Sequence, residues 1–137
     1  MNNVIKKMRD SGWVLNPGVS DFDLDEARKS MGLFLPEDFL NFLITHNGGE
    51  GYLGEEYLIL WKLNELLEFN DDYEVEKYAP GLFLFGSNGG GEGFAFDRDN
   101  AMVIVMIPFI GMNRKYARFL ANDFTSFLLR FFSSQHE

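Results

Sequence analysis

Carboxylates and tyrosines are the side chains in this sequence whose types and spacing could form a binding surface. They fall in two groups, and the spacing leaves open whether these groups meet in space. Tyrosine combines apolar area with a polar tip, and carboxylates attract basic surfaces, so the combination is typical of a protein–protein interface. A solvated face that contacts nothing is the alternative for each residue. We predict contact with a partner protein through Glu50, Glu55, Glu56, Glu68, Asp71, Asp72, Tyr73, Glu74 and Glu76.

The net charge indicates what kind of partner such a surface would take. Asp and Glu number 21 and Lys and Arg number 12, which leaves a charge of −9. A field of that sign repels phosphate backbones and anionic lipids, so we expect no direct binding to nucleic acid or to a membrane. It favours a basic protein partner, and it would also serve solubility alone.

Groups suited to catalysis or to metal binding are few. There is no cysteine, and the two histidines are His46 and His136. His46 is expected at the C-terminal end of a helix, where positive charge is favourable, and His136 lies in the C-terminal tail. Neither suits a Ser-His-Asp triad or a zinc site. We therefore expect no enzyme, no cofactor and no metal site; a small hydrolase is the alternative, and it requires a cleft with convergent titratable groups.

Two segments resemble ligand-binding loops but differ from them in context. Gly86–Gly93 is rich in glycine, yet it has no lysine and strand-like sequence follows it, so a hairpin turn is expected instead of a phosphate loop. Within it, Gly89–Gly91 permits positive φ. Asp97–Asn100 begins like a calcium loop, but no glutamate closes it, so a turn is expected there as well.

The elements that position these residues follow from apolar periodicity and from caps. The clearest helix begins at Pro36, which suits a first helical turn, and Asn47 and Gly48 end it. In the helix that leads to the second acidic group, Asn64 is the predicted cap. Leu63, Leu66 and Leu67 are predicted to point inward there. The predicted helices cover residues 1–10, the segment from a cap at Ser20 or Asp21 to Gly32, Pro36–His46, Leu63–Asn70 and the segment after a cap at Asp123.

Strands are predicted over Tyr57–Trp61, Leu82–Phe85, Glu92–Asp97 and Met102–Ile107, the last as the central strand because it is apolar on both faces. Tight turns favour antiparallel pairing. The fold class is therefore α+β: one domain over residues 1–137, with a mostly antiparallel twisted sheet packed by N-terminal helices and a C-terminal helix. No apolar stretch is long enough to span a membrane and the N-terminus lacks a signal-peptide pattern, so a cytoplasmic location is expected.

Four segments carry a resemblance to a known family. They are Leu35–Phe39 with Thr45–Gly49, Trp61 with Leu63, Leu84–Asp97, and Phe124–Leu128. In this order and spacing they resemble the SUKH superfamily, which includes the yeast cell-wall (glucan) synthesis regulators, over a core from about residue 21 to residue 132. The resemblance marks as mainly structural the motif residues Pro36, Asn47, Gly48, Trp61, Gly86, Gly89 and Asp97.

The resemblance implies an α+β fold and a binding function, with no catalytic residues to carry over. Many bacterial members resemble immunity proteins that neutralise polymorphic toxins of the nuclease or deaminase type. Together with the charge of −9 and the acidic and aromatic groups, the resemblance favours an immunity protein whose carboxylates cover the nucleic-acid site of a basic toxin domain. A regulatory scaffold of cell-wall synthesis, like the fungal relatives, is the alternative.

Overall fold

The structure is a computed structural model that describes residues 1–32 and 34–133, so His136 lies outside it. In these residues the chain forms six α-helices, one short 3₁₀ helix and seven strands. The helices are α1 (Asn2–Asp10), α2 (Asp21–Met31), α3 (Glu37–Thr45), α4 (Leu63–Asp72), α5 (Val75–Tyr78), the 3₁₀ helix (Arg114–Tyr116) and α6 (Phe124–Ser133). The strands are β1 (Val14–Leu15), β2 (Gly49–Leu53), β3 (Glu56–Leu60), β4 (Leu82–Ser87), β5 (Glu92–Asp97), β6 (Val103–Pro108) and β7 (Arg118–Ala121).

The seven strands form one antiparallel sheet in which chain order and spatial order coincide, from β1 at one edge to β7 at the other. The α+β prediction is therefore confirmed, including the helices at both ends of the chain. The prediction of Met102–Ile107 as the central strand is wrong, because the corresponding β6 lies next to the edge strand and β4 occupies the middle. Burial on both faces, rather than a central position, explains its apolar sequence.

Local capping explains where several helices begin and end. The Ser20 hydroxyl accepts from the Asp23 backbone N–H at 3.1 Å, and Gly32 ends α2 with φ +61°. The Asp123 carboxylate accepts from the Ser126 N–H at 2.7 Å at the start of α6. These three predictions are confirmed. Pro36 is the N-cap of α3, one position before the predicted first turn.

Phenylalanines fill the core between the sheet and the pair α3 and α6. The Phe39 ring lies 5.2 Å from that of Phe96 and 5.0 Å from that of Phe124, in edge-on contacts. Phe85 stacks on Phe96 at 4.5 Å, and all four rings are buried. Such ring pairs add to the stabilisation that comes from burying apolar area. The core therefore holds the two helices on one face of the sheet.

The other face of the sheet carries α4 and α5, and here two predictions are wrong. Asn64 does not cap α4. The Lys62 backbone N–H donates to the Glu65 carboxylate at 2.9 Å, and the Leu63 N–H donates to the Asn47 side-chain oxygen at 2.7 Å. Leu67 does not point inward, because it is 37% exposed. None of the helices in the described ranges is long and apolar enough to cross a bilayer.

Candidate protein-binding surface

The second acidic group occupies one continuous stretch of α4, α5 and the residues between them, which we call the α4–α5 surface. Its six predicted residues are all exposed. Glu68, Asp71 and Asp72 follow i, i+3, i+4 spacing and therefore share one side of α4. Within residues 1–32 and 34–133 these three carboxylates make no ion pair, so their charge is available to a partner. The α4–α5 surface consists of Glu68, Asp71, Asp72, Tyr73, Glu74 and Glu76.

The last two carboxylates of this surface already contact basic groups of the same chain. Glu76 pairs with Arg98 at 2.7 Å, and Glu74 lies 3.7 Å from the Lys77 ammonium. Hydrogen bonding to the Tyr78 side chain, together with the charge of Glu74, raises the pKa of Lys77 above its ordinary value. Intramolecular pairing reduces the charge that Glu74 and Glu76 present outward. The negative field of the α4–α5 surface therefore comes chiefly from its α4 end.

An aromatic stack lies beside these carboxylates. The Tyr73 ring stacks on Phe109 with 4.3 Å between ring centroids and 12° between planes. Its second face is near-parallel to Trp61 at 6.4 Å. Trp61 is only 6% exposed, as predicted for a core residue, whereas Tyr73 is 40% exposed. A rigid, partly exposed tyrosine set against a buried tryptophan has the properties of an interface anchor.

The half-buried Phe109 and the exposed Ile110 lie at this stack, and neither is among the contact residues predicted from the sequence. Gly93 makes room for the Phe109 ring, since a Cβ at that glycine would lie 2.8 Å from it, and the Phe109 N–H donates to Gly91 at 3.0 Å. The next residue, Ile110, is 94% exposed. Both lie beyond the strand predicted over Met102–Ile107, where the sequence predicts no element. The chain turns after β6, which places Phe109 against Tyr73 and leaves Ile110 exposed.

Asn70 fixes α4 to the sheet. Its side-chain amide donates to the Leu84 carbonyl at 2.9 Å and accepts from the Leu84 N–H at 2.8 Å. The pairing of β3 with β4 covers Ile59–Ser87 and Leu60–Gly86, so Leu84 has no paired residue in β3. The side chain of Asn70 therefore takes the place of a missing strand residue. Asp71, Asp72 and Tyr73 follow Asn70 directly in the chain, so the hydrogen bonds of Asn70 also hold their backbone beside the sheet.

The three residues of the first acidic group, Glu50, Glu55 and Glu56, do not lie close together on one face of the sheet. Residues directly paired across strands share a face of the sheet. Glu50 is paired with Ile59, and Ile59 with Ser87, which places Glu50 on the face that carries α4. Glu56 is paired with the buried Leu53 and projects to the opposite face, and Glu55 lies in the β2–β3 turn. The two predicted groups therefore share a sheet face only through Glu50.

Glu50 is tied to a pair of tyrosines. The Tyr57 hydroxyl donates to the Glu50 carboxylate at 2.5 Å, and the Tyr57 and Tyr52 rings contact edge-on with 4.9 Å between centroids. This hydrogen bond, with burial and the negative charge of Glu50, raises the pKa of the Tyr57 phenol above its ordinary value. The phenol therefore stays neutral and serves as a fixed donor.

The motif residues have structural roles. A Cβ at Gly86 would lie 2.5 Å from the Ile59 carbonyl, and one at Gly48 would lie 2.5 Å from the Leu60 carbonyl, so only glycine permits these close approaches. Gly89 has φ +74° in the hairpin turn that joins β4 to β5, as predicted. The buried Asp97 pairs with Arg114 at 2.8 Å, and this hydrogen bond raises the pKa of the Arg114 guanidinium.

His46 has a defined tautomer. An arginine only donates and a carbonyl only accepts, so the Arg9 guanidinium, 2.7 Å from Nε2, and the Asn16 carbonyl, 2.8 Å from Nδ1, place the ring proton on Nδ1. His46 is the C-cap of α3, as predicted, but the cation beside it is Arg9. In the part of the chain that the structure describes, no three His, Asp or Glu side chains are grouped so that they could hold a metal ion.

These observations define an α+β protein with one antiparallel sheet and an acidic helical surface on one of its faces. The chain belongs to the SMI1 / KNR4 family (SUKH-1), whose model matches residues 18–130. This match confirms the resemblance found in the sequence. The chain is also similar to the uncharacterized protein YnaB of Bacillus subtilis (strain 168), with 29% identity over 79 residues. That match covers 58% of this chain and 51% of YnaB, about half the length of the relative.

Proposed function

We propose that this protein is a non-enzymatic, cytoplasmic immunity protein that binds a basic toxin domain through the α4–α5 surface. The observation that carries the proposal is the combination of three α4 carboxylates, which make no ion pair within the described residues, with the partly exposed Tyr73 stacked on Phe109. A toxin that acts on nucleic acid needs a basic surface to hold phosphates. Carboxylates that cover this surface would exclude the substrate. The binding function that the SUKH resemblance implies supports the proposal as well.

The charges and the rings have different tasks in this proposal. The charge of −9 steers a basic partner into an encounter, which raises the association rate and makes it sensitive to salt. Tyr73 and Ile110 offer the apolar area that holds the complex once it has formed, because exclusion of water from such anchors slows dissociation. Neutralising the carboxylates should therefore change the association rate, and truncating the anchors should change the dissociation rate.

The test measures binding to the polymorphic toxin domain encoded beside the gene. The triple variant Glu68→Gln/Asp71→Asn/Asp72→Asn should associate about tenfold more slowly at low salt and show a weaker salt dependence. Its matched control is Asp10→Asn/Asp21→Asn/Glu37→Gln, which removes the same charge from exposed positions on α1, α2 and α3 that make no ion pair within the described residues. The control should keep a rate within about twofold of the parent.

Three results would contradict the proposal or part of it. Equal rates for the two triple variants would show that the α4–α5 surface has no special part in capture. Absence of binding to the toxin domain, together with capture of several host proteins of cell-wall synthesis, would favour the regulatory scaffold instead. A Tyr73→Ala variant that dissociates from the toxin domain no faster than the parent would show that Tyr73 does not anchor the complex.

A further inference from the structure

A groove lies on the opposite face of the sheet from the α4–α5 surface. Phe94 is directly paired with Met106, and Met106 with Arg118, so these side chains form one row across β5, β6 and β7. Phe131 of α6 reaches the end of this row, with its ring centroid 6.1 Å from that of Phe94. The groove has a volume of about 450 Å³, and its rim includes Glu56, Arg118, Phe119 and Arg130.

The groove has an apolar floor that the protein leaves partly uncovered. Phe94 is buried, but Met106 and Phe131 are half-buried. The neighbour of Phe94 on the other side is Gly86, which has no side chain to fill the row. Mostly apolar concavities with a few placed polar groups are typical ligand sites.

The two arginines on the rim are held in place but keep donors available. Arg130 donates through Nη1 to the Leu120 carbonyl at 2.9 Å, which fixes its guanidinium at the rim. A guanidinium has five N–H donors, and within the described ranges Arg130 forms no ion pair. Arg118 contacts Glu92 at 3.4 Å, which is a longer contact than the 2.7 Å and 2.8 Å pairs of Arg98 and Arg114.

This arrangement is unusual for a chain with a net charge of −9. Two arginines line this groove with Glu56 as the acidic residue of the lining, and each guanidinium can bind a carboxylate through paired N–H groups. Charge complementarity therefore selects an anionic ligand for this groove. The row from Phe94 to Arg118 crosses three neighbouring strands, about 10 Å at the usual strand spacing, so an extended segment of about three residues reaches from the apolar floor to the arginines.

We propose that this groove binds an extended segment of a protein partner that carries an apolar side chain followed by a carboxylate. The apolar side chain lies on Phe94, Met106 and Phe131, and the carboxylate is held by Arg118 and Arg130. The groove lies on the face of the sheet opposite the α4–α5 surface, so this proposal does not depend on the binding of a toxin there.

The test is an NMR titration of the intact chain with two peptides, Ac-Ala-Leu-Phe-Glu-NH₂ and Ac-Ala-Leu-Phe-Gln-NH₂. The Glu peptide should shift the Met106 methyl signal and the Arg118 and Arg130 side-chain N–H signals, and it should bind about tenfold more tightly than the Gln peptide. Arg118→Gln and Arg130→Gln should each abolish this preference. Arg28→Gln, which removes the same charge on α2, should keep it.

The proposal is overturned if the two peptides bind equally or if the shifts lie away from the groove. It is also overturned if Arg28→Gln reduces binding as much as the groove variants do, since general electrostatics would then explain the effect. A third probe, 4-phenylbutyrate, tests the commitment to a peptide. Binding as tight as that of the Glu peptide would assign the groove to small carboxylic acids instead. If Arg130→Gln loses the native fold, judged by thermal unfolding, Arg118→Gln still decides the outcome.

Discussion

Replacing Asn70 by alanine should destabilise the protein strongly, although the residue is only half-buried. The variant loses three hydrogen bonds: two to Leu84, and one to the Leu66 carbonyl at 2.7 Å. Leu84 is fully buried, so its N–H and C=O lose their partner in a place that water reaches poorly. Each of the two groups should cost about 1–2 kcal/mol, in the lower part of the range for unsatisfied buried polar groups because position 70 is only half-buried, so the free energy of unfolding should fall by about 2–4 kcal/mol.

Urea unfolding followed by tryptophan fluorescence measures this loss directly, because Trp61 lies against α4 through Phe69. With a urea m-value of about 1.5 kcal/mol/M, the midpoint should fall by about 1.3–2.7 M. Asn70→Asp should cost at least as much, since its carboxylate would face the Leu84 carbonyl. The control is Asn64→Ala, on an exposed asparagine of the same helix, which should change the free energy by less than about 0.5 kcal/mol. A loss below about 0.5 kcal/mol for Asn70→Ala would refute the bridging role.

Two further predictions concern residues near the α4–α5 surface. Glu50→Gln should lower the pKa of Tyr57 toward its ordinary value. A pH titration of phenolate absorbance measures this pKa, and the step that belongs to Tyr57 is the one that disappears in Tyr57→Phe. If Glu50→Gln leaves the position of this step unchanged, Glu50 is not the cause of the raised pKa. Because the folded state holds the phenol proton more tightly, this stabilisation is complete below the ordinary tyrosine pKa and is lost as the pH rises through the raised value. Glu74 has φ +52°, a conformation that glycine adopts more easily than alanine. The free energy of unfolding of Glu74→Gly should therefore be about 1 kcal/mol higher than that of Glu74→Ala, and equal values would argue against backbone strain at this position.

The end of a helix can be predicted from the sequence when the capping residue lies only a few positions away in the chain. Ser20 and Asp123 accept from N–H groups three residues along the chain, so the caps of α2 and α6 are visible in a short window. The start of α4 is different, because its Leu63 N–H is bonded by Asn47, sixteen residues earlier, from the end of α3. A window around Leu63 favours Asn64 as the cap, and only tertiary structure corrects it.

The strands show the same limit. β2 has the sequence Gly-Glu-Gly-Tyr-Leu, which has little β-propensity, and its glycines are present because Trp13 and the β1 backbone approach closely. A Cβ at Gly51 would lie 2.5 Å from the Trp13 ring. The short edge strands β1 and β7 likewise depend on pairing to neighbours rather than on their own sequence. Position in the sheet therefore could not be predicted from apolarity alone.

For the candidate site, the sequence identifies the charged residues but not their grouping. The α4 spacing places Glu68, Asp71 and Asp72 together, because helical periodicity is local. The separation of Glu50 from Glu56 follows from strand register, and the exposure of Ile110 follows from a turn after β6. Register and turn geometry depend on distant contacts, so Tyr73 could be predicted from the sequence but the positions of Phe109 and Ile110 beside it could not.

Hydrogen exchange of the complex with the adjacent toxin domain tests the central claim most directly. We expect the amides of residues 68–78 and 109–111 to exchange more slowly in the complex than in the free protein. A complex that forms while these amides exchange at unchanged rates, with protection confined to other surfaces, would contradict it.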